Sequence, residues 1–283
     1  MVNIKNPLGI LGIIGGLMLS ASLSYADPIT INLAPYFIPT AYSDKVVKLD
    51  TTIFGGYGFF GLGSYSLELG YDQILGTLSR GSVQQNYLGI VTYYLPTMKF
   101  KAGLVAIRPT GGDGNGTVGI LGAQYDQYDA YGYYKLWSLG ADVFYSRYTD
   151  STNTTAYQGS PYLKYYLSPP FLPGWCEATG RVNGILTSSR QTLINEEVGM
   201  DYHLGPLTLG AEYTIGEARY GVYKGGFVVF NSSDKLQDGY TLSAAYALGQ
   251  LSFSSSYQVQ NLTPIDAPKS SYTKISALVT YHF

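Results

Sequence analysis

The last residues of the chain alternate between apolar and polar side chains. From Thr273 onward every second position belongs to one set, which includes Ile275, Val279 and Phe283, and the positions between them include Lys274. A period of two places successive side chains on opposite faces of a β-strand, so this segment predicts a strand with one apolar and one mostly polar face. The predicted strand continues to the final residue.

The same alternation recurs in three other segments, 65–72, 207–216 and 251–260. Gly-rich and Pro-rich connections separate such segments throughout the chain. Short connections are predicted at 61–63, 95–97, 132–136, 168–174, 204–206 and 248–250. Longer polar connections are predicted at 75–84, 108–117, 148–156, 187–192, 219–235 and 261–271. Counting back from the terminal strand predicts about fourteen strands, with twelve as the main alternative, and a first strand at 29–37.

Composition favours a strand protein whose apolar face contacts lipid. Charged residues make up only 13% of the chain, against about a quarter in an ordinary soluble domain. The chain has 29 Tyr and 35 Gly, and its mean hydropathy is +0.03. Its one Cys excludes an internal disulfide. The formal net charge of −2 gives no indication of a nucleic-acid partner.

The first 26 residues predict a secretory signal peptide. An apolar run at 8–19 is too short to span a bilayer, and Ser24 and Ala26 fit the small-residue cleavage pattern. The expected domain organisation is therefore a signal at 1–26 followed by one domain at 27–283. No later segment has the apolar length of a transmembrane helix, so a secreted chain of this composition must satisfy its backbone in a closed barrel.

Aromatic residues support a barrel that spans a membrane. They fall beside the predicted short connections and again toward the long ones, as expected for two interfacial rings. The first group is Tyr65, Tyr93, Trp137, Tyr165, Trp175, Tyr202, Tyr246 and Tyr281, and the second is Tyr71, Tyr145, Tyr157, Tyr213, Tyr240 and Tyr257. The predicted fold class is an all-β, antiparallel, up-and-down transmembrane β-barrel.

The alternating last strand with its terminal aromatic resembles the C-terminal signature of Gram-negative outer-membrane β-barrels. This resemblance implies that Tyr281 and Phe283 form the signal read by the barrel-assembly machinery, and that both termini lie in the periplasm. It also implies outer-membrane lipid as a partner, and it identifies no narrower family.

Alternation places many charged side chains on the inward face, where they are predicted to line a pore. These are Asp50, Glu68, Asp72, Lys101, Asp142, Lys164, Glu177, Arg181, Glu197, Asp201, Glu212 and Lys274. They predict either a wet lumen with an open path or cross-strand pairs that close the interior. The leading expectation is a porin-like channel for passive diffusion of small hydrophilic solutes or ions, with a weak cation preference. The alternatives are a structural or surface barrel with a blocked lumen, and a channel for small apolar compounds.

Signs of catalysis are weak. His203 and His282 are the two histidines, and no G-x-S-x-G motif or clustered metal ligands accompany them. The chain is therefore expected to be no enzyme and to carry no cofactor or metal, and it is expected to be a monomer.

The predicted loop at 219–235 contains an apolar run, Phe227, Val228, Val229 and Phe230. An exposed apolar run is unfavourable unless it packs. One hypothesis is that this loop folds into the mouth of the barrel and gates it. The other is a hairpin that extends above the membrane around residues 224–226.

Overall fold

A computed structural model describes residues 29–43, 50–76, 83–109, 115–149, 153–168, 173–224, 228–229, 234–263 and 269–283. The predicted signal peptide lies outside these residues and stays a prediction. Within the described part of the chain, no helix has the length and apolar character needed to cross a membrane.

Fourteen long strands form a single closed barrel. They are β1 (Thr30–Tyr42), β2 (Thr51–Leu62), β3 (Tyr65–Gly76), β4 (Val83–Tyr94), β5 (Met98–Pro109), β6 (Gly116–Tyr128), β7 (Lys135–Tyr148), β8 (Thr155–Leu167), β9 (Trp175–Thr187), β10 (Thr192–Leu204), β11 (Leu207–Gly216), β14 (Lys235–Leu248), β15 (Leu251–Thr263) and β16 (Ser270–His282). Two short strands, β12 (Val222–Tyr223) and β13 (Val228–Val229), form a separate hairpin between β11 and β14.

Each barrel strand pairs antiparallel with its neighbours in sequence, and β16 closes the barrel by pairing with β1. The predicted all-β barrel of fourteen strands is confirmed, and the alternative of twelve is excluded. The first strand extends to Tyr42, beyond the predicted end at residue 37. It is longer because its outer part pairs with both neighbours, as in the registers of Thr40 with Thr51 and of Tyr42 with Tyr272.

Burial alternates along the strands as the sequence pattern predicts. In β7, Leu139 and Val143 are 54% and 56% exposed, whereas Asp142 and Phe144 are each 1% exposed. In a closed barrel the exposed set faces outward and the buried set faces the interior. The outward face therefore presents a band of apolar side chains that suits contact with lipid.

The two ends of the barrel differ in their connections. Short turns join the strands at one end, called here the turn end, where β1 also begins and β16 ends. Gly63, Gly205 and Gly249 lie in three of these turns with positive φ angles, a conformation that favours glycine. The connections at the opposite end, called the loop end, include the longest one, residues 217–234.

An apolar cluster fills part of the interior near the loop end, which the sequence analysis did not predict. It includes Ile90 and Ile107 from the wall and Val222 from the β11–β14 connection. The strands that supply it contain continuous apolar runs, such as residues 104–107, rather than strict alternation. One side of the barrel is therefore packed like a soluble core.

Candidate functional site

The first part of the connection between β11 and β14 folds into the barrel. This part, residues 217–224, is called here the lumen segment. The side-chain amide of Gln158, on the inner face of β8, donates to the Val222 carbonyl at 2.7 Å and accepts from the Val222 amide at 2.8 Å. Tyr220 contacts Tyr148 of β7 with ring centroids 5.1 Å apart. A buried wall residue therefore holds the backbone of this segment inside the lumen.

The base and tip of the lumen segment also contact the wall. Ala218 forms paired backbone hydrogen bonds with Leu236 at the start of β14, and Lys224 lies 3.7 Å from Glu212. Of the predicted gating residues, Phe227 and Phe230 lie outside the described residues. Val228 and Val229 pair through their backbones with Tyr223 and Val222. The described part is thus a pair of short strands, the first of which packs inside the barrel. Whether the loop gates the pore stays a prediction.

A charge network crosses the inner wall from β5 to β10. Asp142 lies 2.9 Å from the Lys101 ammonium and 3.2 Å from the Arg181 guanidinium. Arg181 also lies 3.9 Å from Glu197, and its guanidinium stacks over the Tyr162 ring at 4.6 Å. Because Asp142 is almost fully buried, these pairs are held in a low-dielectric environment. This part of the wall carries paired charges rather than free ones.

A second network lies nearer the turn end. Asp126 accepts hydrogen bonds from Ser138 at 2.6 Å and from Lys135 at 3.0 Å, and it lies 3.6 Å from Lys99. Lys164 and Glu177 form a separate pair at 2.5 Å. Asp126, Lys99 and Lys135 were not among the predicted pore-lining residues. The period of two in β5 and β6 could have placed Lys99 and Asp126 on the inner face. Lys135 shares the parity of the outward Leu139 and lies beside an irregularity in the β6–β7 register, so alternation alone could not have placed it there.

The remaining predicted pore-lining residues are distributed around the lumen. Glu68 accepts a hydrogen bond from Tyr57 at 2.8 Å, and Asp72 accepts one from Tyr36. Asp201 lies on the inner face of β10, paired in register with Gly210. Asp50 differs, because it is exposed just before β2 at the loop end and accepts a hydrogen bond from the Tyr42 amide at 3.1 Å.

Two side chains depart from the predicted division between faces. Glu196 is exposed on the outward face of β10, between Ile194 and Val198, which are 57% and 63% exposed. Trp175 was assigned to an interfacial ring but stacks on His203, with ring centroids 3.8 Å apart, on the inner face at the turn end. Both placements follow from the period of two, because Glu196 shares the parity of Ile194 and Val198, and Trp175 shares that of the inward Glu177 and Arg181.

The histidines take part in ordinary hydrogen bonds of the inner wall. His282 contacts Ser252 at 3.1 Å and Asn32 at 2.8 Å, and His203 contacts Thr208 at 3.1 Å. Among the described residues, no group of three or more His, Cys, Asp or Glu side chains could hold a metal ion.

A cavity of about 230 Å³ lies between the lumen segment and the opposite side of the barrel. Side chains from β1, β10, β11 and β14 to β16 line it, together with Tyr223 and Lys224. Most of the residues that line it are of polar type, including Gln258, Gln260 and Ser276. The Tyr223 hydroxyl is buried and has no hydrogen-bond partner among the described residues, and burial raises the pKa of this phenol.

Accessibility divides the inner wall into two sides. The inward residues of β7 and β8, such as Asp142 and Ser160, are buried under neighbouring side chains. The inward residues Ser243 and Ala247 of β14 are exposed although they face the lumen. Small inward side chains continue on β15 as alternating serines, among them Ser254. Free space inside the barrel therefore runs along β14 and its neighbours.

Comparisons with known proteins identify the fold but no family. No family model matches the chain, and no curated protein matches it in sequence. Several solved outer-membrane proteins have a similar structure. A bacterial polysaccharide outer-membrane secretin has 6% sequence identity and a TM-score of 0.53, with coverage of 92% of this chain and 100% of that one.

Two further structures are similar over most of their lengths. A mutant of the TodX monoaromatic hydrocarbon channel has 11% identity and a TM-score of 0.53, covering 91% of each chain. The Acinetobacter baumannii outer-membrane protein Omp33 has 10% identity and a TM-score of 0.50, covering 90% of this chain and 99% of that one. The chain therefore has the fold of the bacterial outer-membrane β-barrels.

Proposed function

We propose that this protein is an outer-membrane channel for the passive diffusion of small hydrophilic solutes. The observation that carries the proposal is the accessible side of the inner wall, where small polar residues of β14 to β16 border free space. If side chains filled the lumen completely, inward residues would be buried on every strand, as they are on β7 and β8. The apolar outward band and the turn and loop ends fit a barrel with its turns and termini in the periplasm.

The paired charges on the inner wall from β5 to β10 support a structural role for that side of the barrel. The cations Lys101 and Arg181 are balanced by Asp142 and Glu197, so the four groups together add little net field to the lumen. The inward acidic and basic residues nearly balance, and any cation preference of the channel should therefore be weak. Reversal potentials measured in a salt gradient test this point, and a clear anion preference would contradict it.

A pair of adjacent alanines on β14 provides a direct test of the path. Ala245 faces the lumen in register with Ser254, and Ala244 faces outward and is exposed. We expect Ala245→Trp to reduce single-channel conductance roughly by half or more, because an indole would occupy the free side of a barrel of this size. Planar-bilayer recording of the refolded protein measures the effect.

Ala244→Trp is the matched control. An outward Trp suits the lipid-facing surface of a barrel, so this variant should conduct like the unmodified protein. Equal conductance in both variants would place the solute path elsewhere, and the absence of conductance in the unmodified protein would favour a structural barrel with a blocked lumen.

A channel for apolar compounds has less support. The interior apolar cluster is packed, since Ile107 and Val118 are both fully buried, and four charged side chains border the cavity beside it. Uptake of a hydrocarbon into vesicles containing the protein, without swelling in sugar solutions, would reverse this preference.

A further inference from the structure

The cavity beside the lumen segment carries charges of both signs on different walls. Lys274 projects from β16, and Glu212 and Glu197 project from β11 and β10. The strand registers place Gln258 and then Thr241 between Lys274 and Glu212. Three strand spacings separate the two charged positions, or ~14 Å along the wall, and the inward reach of the side chains shortens this separation.

Lys274 is available for a ligand. Among the described residues it has no ion-pair partner within 4.0 Å, although it interacts at longer range with Asp72 and is repelled by Lys224. The neighbouring lining groups Gln258 and Ser276 are neutral. A cation in this setting, bordered by amide and hydroxyl donors, suits a carboxylate group.

Glu212 is also held only weakly by its counter-ion, Lys224. Its pair with Lys224 is long, at 3.7 Å, and the two side chains are 32% and 51% exposed. An exposed pair of this kind contributes little and exchanges readily with another cation. Glu197 is different, because Asn183 donates to it at 2.6 Å and Arg181 lies beside it.

The lining of the cavity also offers an unused donor. Tyr223 lines the cavity together with Glu197 of the acidic wall and with Tyr272 of β16, the strand that carries Lys274. A buried hydroxyl without a partner is unfavourable, and a hydrogen bond to a bound solute would satisfy the Tyr223 hydroxyl. The volume of about 230 Å³ equals roughly eight waters at ~30 Å³ each, which accommodates an amino acid or a dipeptide.

We propose that this cavity binds small zwitterions of amino-acid or dipeptide size as they cross the channel. The solute carboxylate contacts Lys274, its ammonium group contacts Glu212, and its polar middle contacts the Tyr223 hydroxyl. The balance of two carboxylates and two ammonium groups in the lining disfavours solutes that carry a single charge. The proposal rests on the proposed channel function and names its preferred solute class.

The test measures binding to the refolded mature chain in detergent with four probes of similar size. Glycylglycine carries both charges, N-acetylglycine only the negative one, glycinamide only the positive one, and N-acetylglycine methylamide neither. By titration calorimetry or saturation-transfer NMR, we expect glycylglycine to bind about ten-fold or more tightly than each of the others. Equal binding of N-acetylglycine and glycylglycine would overturn the proposal in favour of a simple anion site.

Single substitutions test which residues contact the bound solute. Lys274→Gln and Glu212→Gln should each weaken glycylglycine binding about ten-fold, and Lys164→Gln, in a lumen ion pair outside the cavity, should leave it unchanged. In Lys274→Gln, glycylglycine and glycinamide should bind equally, because only the carboxylate distinguishes them. General damage to the barrel would not produce this pattern, and a retained preference for glycylglycine in this variant would refute the role of Lys274.

Conductance recorded on the same preparation separates the two proposals. Conductance without saturable glycylglycine binding would refute the zwitterion site and leave the channel function standing. Binding without conductance would refute the channel function and with it the role of the site in permeation.

Discussion

Removing residues 219–233, which include most of the lumen segment, is expected to raise the single-channel conductance several-fold. Replacing residues 219–233 by Gly-Ser-Gly deletes Tyr220, Val222 and Tyr223, which lie inside the barrel, and retains the backbone pairing of Ala218 with Leu236. A barrel of fourteen strands whose lumen is no longer partly filled should conduct according to its full width. Planar-bilayer recording provides the measurement.

A milder variant tests the same point without shortening the chain. Gln158→Leu removes both hydrogen bonds to the Val222 backbone and leaves that amide and carbonyl without this partner. We expect longer or more frequent high-conductance states, because the segment loses its anchor to β8. Gln124→Leu is the control, since this inward glutamine bonds Tyr162 and Asp126 rather than the lumen segment. Unchanged conductance in both the replacement and Gln158→Leu would refute a gating role.

Neutralising Asp142 is expected to destabilise the barrel by about 3 kcal/mol. The side chain is 1% exposed and pairs with Lys101 and Arg181, so Asp142→Asn leaves two partly buried cations without their shared counter-ion. Breaking a buried pair from one side typically costs about 3–5 kcal/mol, and the lower value applies here because Lys101 is 22% exposed. Guanidinium unfolding of the refolded protein in lipid vesicles measures the change in the free energy of unfolding.

Two further variants check the cause of this loss. Glu177→Gln breaks a more exposed pair with Lys164 and should cost about 1 kcal/mol or less. Adding Lys101→Met to Asp142→Asn removes one of the two stranded cations, so the double variant should be more stable than Asp142→Asn alone. If Asp142→Asn cost no more than Glu177→Gln, the network would contribute no special stability.

The fold could be predicted from the sequence because its signals are local. Alternating side chains, as in 251–260, identify strands, and short and long connections between them determine their number and direction. Both signals can be recognised without knowing which strands are neighbours in the barrel. The reason is that a strand that contacts lipid on one side must keep an apolar face. The closure of β16 on β1 then follows from the absence of a free edge, and antiparallel pairing around the whole barrel requires an even number of strands.

The contents of the lumen were less predictable. The same alternation placed Asp142, Arg181 and Glu197 on the inner face, but it could not show that they lie within reach of one another across β7, β9 and β10. Cross-strand partners depend on register and strand tilt, which arise only when the barrel closes. The apolar cluster was not predicted for a related reason. An apolar residue such as Ile107 is expected to face lipid unless the orientation of its strand in the barrel is known.

By itself, the sequence determined a closed antiparallel barrel with an apolar outside and a charged inside, because a period of two assigns each residue to a face without reference to any other strand. Only the tertiary structure decided how the inside is divided. It packed one side with paired charges and the lumen segment and left β14 to β16 accessible beside a cavity. The physical reason is that contacts in the lumen join residues that are far apart in the chain, such as Gln158 and Val222. A local sequence pattern does not predict which distant residues will be in contact.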